Sequence, residues 1–592
     1  MKKKIFGLAF SLVMVAAMLF TSCAKSTPTT ATITTTPTTT SHWWDKLGKP
    51  QYGGEIAERI PVNIVNFDPY NDEMLSGSAH MYMERLFADK WDQDPTLFDY
   101  SIPYRPDEDL TGLLVDKWEF TDPSTFVVHV RKGVKWQNIP PANGRDFTAD
   151  DIAFHYNRLL GLGGYGFTTP APYWGSVATW KSLTSVTAVN DTVIFKWNVT
   201  SVQYILETIE ARAVPFENPE AVKQWGDLSD WHHAIGTGPF ILKEFIDGSS
   251  ETLVRNPDYW GFDERYPQNK LPYADSVKIL IIPDTATALS AMRTGKLDFL
   301  PDNNIDAAKT MKQSKPEITQ TAIFGDPLCV TPRNDLTPFS DINVRKALQM
   351  SLNLQDMANN YYGGAVDPSP STLTGNAMTG WGYPYKEWPQ ALKDEYAYNP
   401  TQAKKLLSDA GYPTGFKTTI WADKAMDIDF LQIIKSEFAD VGVDMTIQTM
   451  DTASFSAITR TTHKAEGLMY QGGAVGVRFE PLRQLTRFQK GVPVNIGMVN
   501  DATFETFYPK ALAATSMDVV KQTFKDANQY VAQMHFSVVT VPTLTYTFSQ
   551  PWIKGYTGQD EAIPNSTGTT GWSGFYAARF WIDQSVKKSM GY

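Results

Sequence analysis

From residue 52 to the C-terminus, stretches with apolar residues every three or four positions alternate with short runs of strand-forming residues. "FTADDIAFHYNRLL" opens with Thr148 and Asp151 in capping-box spacing and then repeats Ile152, Tyr156, Leu159 and Leu160, which predicts an amphipathic helix. "YNPTQAKKLLSDAGYPTGF" predicts another. Asn399 can cap it, Pro400 stands at the first helical position, Ala403, Leu406, Leu407 and Ala410 form one face, and Gly411 can close the end. "SDINVRKALQMSLN" repeats the design with Val344, Ala347, Leu348 and Ser351 on one side. "VTAVNDTVIFKW" places two apolar runs around Asn190-Asp191, a hairpin signal. In "FSVVTVPTLTYTF" the strand-type pattern is interrupted by Pro542, which predicts an edge or a break. The class is therefore mixed α/β or α+β. No repeat is evident, which argues against solenoids and propellers.

The first forty residues follow a different pattern. Lys2, Lys3 and Lys4 precede an apolar run from Ile5 to Phe20, the layout of a signal sequence. Its ending, Phe20-Thr21-Ser22-Cys23, resembles the bacterial lipoprotein box, although Phe20 replaces the usual leucine. The resemblance implies cleavage before Cys23 and lipidation of its thiol. The next stretch has ten threonines between Thr27 and Thr40 and almost nothing to bury, so it cannot offset the entropy of ordering and reads as a tether. Its 18 residues from Ala24 to Ser41 could reach about 60 Å when extended.

At 592 residues the chain holds about two to four domains' worth of material. A net charge of -11 without a basic patch argues against nucleic acid as a partner. The two cysteines, Cys23 and Cys329, make no disulfide framework, and the eight histidines show no metal-ligand spacing, so neither metal nor cofactor is expected. Aromatic residues, at 13%, exceed what a core of this size asks for and leave some for a stacking groove.

Catalytic signatures are missing: there is no GxSxG, Walker A, HExxH or dinucleotide fingerprint. "GTGPF" at 236–240 is followed by a strand pattern. It reads as a tight turn whose glycines take positive φ before Phe240 and Leu242 enter a core. Cys329 sits among apolar neighbours and reads as packing.

Several stretches taken together resemble the family 5 bacterial extracellular solute-binding proteins, the peptide and nickel binding group of ABC importers. They are "LLVDKWEFTDPSTFVVHVRKGVKWQN" with "RDFTADDIAF", "GTGPFILKEFIDGSSETLVRNPDYWG", "ALSAMRTGKLDFL", "VRKALQMSLN" and "YNPTQAKKLLSDAGYPTGF", all in the family's order. The resemblance implies two lobes with an extra subdomain inserted in the first and a ligand groove between them. Laid on this chain, it places a signal peptide at 1–22, a lipid-anchored linker at 23–51 and a first lobe at 52–283. The inserted subdomain falls at about 73–182, the second lobe at 284–530, and a return to the first lobe at 531–592. It also implies a monomer that captures a small solute and hands it to permease and ATPase subunits at the cell envelope, in the periplasm or on the outer face of the membrane.

Where peptide-binding members hold the ligand's amine with an aspartate, this chain has "GLMYQGGAVGVRFEPLRQL", with no acid between Tyr470 and Phe479. Tyr470, Gln471, Gly472, Gly473 and Arg478 are the candidate ligand contacts there. Arg478 would favour a carboxylate over an ammonium group. Trp381 and Trp421 are added as candidate stacking surfaces, while Trp136 reads as structural. Oligopeptide is the leading ligand. Oligosaccharide within the same family stays open, as does, from another class, a secreted hydrolase using an unrecognised carboxylate pair.

Overall fold

Strand Glu55–Ile60 runs parallel to Ser276–Ile281, and Ser250–Arg255 and Phe240–Ile246 extend the sheet antiparallel to four strands. In the computed structural model the described residues are 42–70, 78–96, 109–171, 178–211, 215–325, 327–373, 378–472, 481–559 and 573–592. Lys46–Tyr592 form one compact unit. Alternation along these strands turns Ile56, Leu253, Val277 and Ile279 into one hydrophobic cluster, which Trp552 and Phe580 from the C-terminal part of the chain complete.

A second four-stranded sheet is wholly antiparallel, in the order Val115–Asp122, Thr125–Val130, Thr192–Trp197, Leu183–Val189. The Asn190-Asp191 hairpin is present, with Asn190 at φ 54°. Helix Ala149–Leu160 lies on this sheet, and Asn157 Nδ2 donates to the Val186 carbonyl at 3.1 Å. The expected capping box forms: the Thr148 N–H donates to Asp151 Oδ2 at 2.8 Å, and Gly161 ends the helix in the left-handed region. The same Asp151 carboxylate accepts from Trp136 Nε1 at 3.1 Å, which makes Trp136 structural.

The largest sheet has five strands in the order Val443–Met450, Phe416–Asp423, Leu468–Gly472, Leu328–Pro332, Val538–Val539. Phe416–Asp423 is parallel to both its neighbours, and the remaining pairings are antiparallel. Helices Ile342–Met350, Pro400–Asp409 and Ile428–Asp440 bury Val344, Leu348, Ala403, Leu407, Ile434 and Phe438 against it. The predicted cap at Asn399 is made: its side chain accepts from the Gln402 N–H at 3.0 Å. Cys329, on Leu328–Pro332, is buried beside Trp388 and Tyr396.

Phe299–Asn303, Thr543–Ser549 and Thr319–Gly325 form a three-stranded antiparallel sheet. Thr319–Gly325 precedes Leu328–Pro332 of the five-stranded sheet, and Val538–Val539 of that sheet precedes Thr543–Ser549. Pro542 falls in the gap between Val538–Val539 and Thr543–Ser549 and marks the break that its missing N–H predicts.

One expectation is corrected. Gly236 and Gly238 are not in the positive-φ region. Their requirement is steric: a Cβ on Gly236 would stand 1.7 Å from the Tyr82 carbonyl oxygen, and one on Gly238 would stand 2.8 Å from the Tyr82 carbonyl carbon. The Gly238 N–H donates to that carbonyl oxygen at 2.9 Å, so two backbones touch here. Phe240 and Leu242 do enter the core.

Candidate functional site

Strand Leu468–Gly472 is central in the five-stranded sheet, and its residues divide between two faces. Tyr470 belongs with Leu468 to the cluster that contains Phe430 and Ile434. Its ring is fully buried and its hydroxyl donates to the Asp427 carbonyl at 3.0 Å; burial, then the Asp427 charge, push its pKa up. On the other face, Met469 packs with Ala465, Ile496 and the partly buried Trp421. Trp421 Nε1 donates to the Glu466 carbonyl at 2.8 Å. Gln471 follows Met469 on that face, and its Nε2 donates to Thr331 Oγ1 at 3.2 Å.

Gln471 and Gly472 open onto a cavity of about 220 Å³ whose lining also includes Arg460, Arg483, Gln484 and Arg487. Arg460 comes from the turn Ala457–Thr461 and Arg483 from helix Pro481–Gln484. The Arg487 N–H donates to the Gln484 carbonyl at 3.1 Å, which continues that turn and keeps Arg483 and Arg487 on one side. Arg487 Nη2 donates to the Gly472 carbonyl at 2.7 Å, tying the guanidinium to the end of the strand. Arg460 stays open to solvent; what desolvation its guanidinium has, and then the Arg483 charge, lower its pKa. A Cβ built on Gly472 meets no atom of the described residues within 4 Å.

Of the candidate residues, the structure brings Gln471 and Gly472 together in this cavity. Tyr470 faces the sheet's core, and Trp421 shares the Met469 face. Trp381 is buried elsewhere, edge-on to Phe524 with ring centroids 5.5 Å apart and Lys521 above its ring. Gly473, Arg478 and Cys23 lie outside the described residues. Arg460, Arg483 and Arg487 escaped the sequence reading. The spacing of Arg483 and Arg487 was visible in "PLRQLTR", but Arg460 joins them only through the fold.

The order and pairing of these sheets give the fold of the two-lobed periplasmic binding proteins. The chain belongs to the bacterial extracellular solute-binding proteins, family 5, whose middle region matches residues 109–495 and so takes in the whole cavity except its surroundings beyond that point. It is 23% identical over 475 residues to heme-binding protein A of Haemophilus influenzae, covering 76% of this chain and 82% of that protein. It is 23% identical over 416 residues to the glutathione-binding protein GsiB of Shigella flexneri, covering 68% and 71% respectively. The periplasmic binding protein DppA of Helicobacter pylori, solved with the peptide STSA, superposes with a TM-score of 0.67 at 18% identity, covering 90% of this chain and 99% of that one. The family is one of bacterial extracellular solute-binding proteins, and the Helicobacter pylori neighbour is an ABC transporter-associated periplasmic binding protein.

Proposed function

We propose that the protein captures an oligopeptide between its lobes and delivers it to the permease of an ABC importer, making and breaking no covalent bond. The observation that carries the reading is the cavity beside Gln471 and Gly472, in the part of the chain matched to the family. A strand end, an amide and guanidinium groups offer the donors that a peptide's carbonyls and carboxylates accept. The peptide held by the Helicobacter pylori neighbour supports the same ligand class. In this reading the first lobe is 52–283, with the inserted subdomain at about 73–182, the second lobe is 284–530, and 531–592 return to the first. The two crossing segments act as the hinge. Ligand contacts on both lobes favour the closed form, because a ligand shifts the equilibrium only by its differential affinity for the two states. Cys23 carries the lipid that holds the monomer at the membrane, and the threonine tract lets it reach its importer.

The test is a thermal-shift and turnover screen of the purified protein against peptide and oligosaccharide libraries. A peptide present at about 100 times its Kd should add about 2.7 kcal/mol to apparent stability. Stabilisation by oligosaccharides alone would replace the ligand class, and conversion of a ligand to products would overturn the binding reading. Mass spectrometry of the mature protein should find Cys23 at the N-terminus carrying acyl chains; an unmodified Cys23 would remove the anchor.

A further inference from the structure

We propose that a pocket lined from residues 367–370 and 378–388 and from helix Met517–Met534 binds an uncharged sugar ring, at a site separate from the cavity beside Gly472. The pocket holds about 280 Å³, and its described lining shares no residue with that cavity. This is just under the roughly 300 Å³ at which sites for drug-sized ligands begin, so it has room for one ring rather than a chain. Tyr383 and Tyr385, both half-buried, line it, and the Tyr385 ring meets that of Trp388 at 70° with centroids 5.3 Å apart. Aromatic faces are negative at their centre and attract the weakly positive C–H face of a pyranose.

Asn528 supplies the polar contact. It is only 5% exposed, so its amide sits nine-tenths out of bulk water. Its Oδ1 accepts from the Leu373 N–H at 2.8 Å and from Thr372 Oγ1 at 2.5 Å; a backbone N–H demands an acceptor, which fixes the place of the amide oxygen. Nδ2 keeps two N–H groups that donate to no described residue, and it is through Asn528 that the helix lines the pocket. A donor held in so buried a place is stabilised by a ligand oxygen that accepts from it. Ser369, Thr379 and Tyr385 add hydroxyls, which both donate and accept. Sugar hydroxyls do the same, so they match this lining where a carboxylate or an ammonium group would match half of it. The described lining holds one ammonium, Lys386, one carboxylate, Asp367, and no guanidinium, which favours a ligand without net charge.

The test is ligand-observed NMR and titration calorimetry of the full chain. One arm uses glucose, galactose and N-acetylglucosamine; the other uses their β-linked trisaccharides, which separates a free sugar from a chain end as the source of the ring. At least one probe should bind, and with the same Kd when the protein is already saturated with a peptide from the binding screen. Asn528→Asp keeps the acceptor that Leu373 and Thr372 use and removes the N–H donors, so it should weaken sugar binding about fivefold or more, the scale of one hydrogen bond. Tyr385→Ser removes a ring from the lining and should weaken it about threefold or more. Melting curves identify a variant that fails to fold, and if Asn528→Asp does so, Tyr385→Ser decides. No binding of any probe, or a Kd that neither variant changes, would overturn the pocket and leave peptide capture standing. Loss of sugar binding on peptide saturation would put the sugar in the peptide's own site and overturn the pocket as well.

Discussion

Glu58 is fully buried, and burial followed by the charge of Asp298 pushes its carboxyl up to about 8. Burial takes Glu251 to about 8 as well. Both stand opposite Ile279, on the two strands that flank it. Each carboxyl therefore keeps its proton at neutral pH in the folded protein, whereas in the unfolded chain it ionises near 4.5. Between those values the native state binds a proton that the unfolded state has lost, so stability falls as pH rises, by up to about 1.4 kcal/mol per pH unit for each group. Glu217 works in the opposite window. Burial would raise its pKa, but His155 and Arg158 outweigh that and hold it at about 2, so its contribution is present at neutral pH and is lost as pH falls through about 2. Thermal melts should show Tm declining from about pH 5 to 8, and Glu58→Gln, which copies the protonated shape, should flatten that decline. A variant slope equal to that of the parent would show that Glu58 does not titrate there.

At the scale of elements, what the sequence revealed was whatever a few neighbouring residues decide. Asn399 and Pro400 start helix Pro400–Asp409, and Thr148 with Asp151 starts Ala149–Leu160, because a cap is made within one turn of its own chain. "GTGPF" was different. Its turn was legible, but the reason for its glycines was not, since the Tyr82 carbonyl that excludes a Cβ comes from a remote segment. Gly236→Ala should therefore destabilise the protein by about 2 kcal/mol or more in denaturant titrations, the cost of forcing atoms into filled space. Gly472→Ala, whose new methyl group meets no described atom within 4 Å, should change stability by less than about 0.5 kcal/mol. Equal effects of the two changes would refute the close-approach explanation.

At the scale of the whole molecule, strands Thr319–Gly325 and Thr543–Ser549, far apart in sequence, pair antiparallel. In the proposed closure, this pair of short connections would restrict the motion of the lobes to bending about them. Small-angle scattering with a saturating peptide taken from the binding screen should give a smaller radius of gyration than the free protein. An unchanged radius despite saturation would mean that capture does not proceed by closure. Trp552, late in the chain, joins the cluster of Ile56 and Ile279, and its Nε1 donates to Asp298 Oδ1 at 2.6 Å.

The sequence by itself determined the helices with their caps, the hairpin, the break at Pro542 and the order of segments that marks the family. All of these rest on short-range sterics and hydrogen bonds. Only the tertiary structure decided which polar and aromatic residues share a space. In "LMYQ" all four residues are buried, so alternation separates Tyr470 from Gln471 without telling which of them adjoins a cavity. That depends on what packs over each face: the helix Ile428–Asp440 closes over Tyr470, while Arg460, Arg483 and Arg487 gather beside Gln471 and Gly472. Those arginines come from two segments brought together by folding, and no local pattern records that meeting.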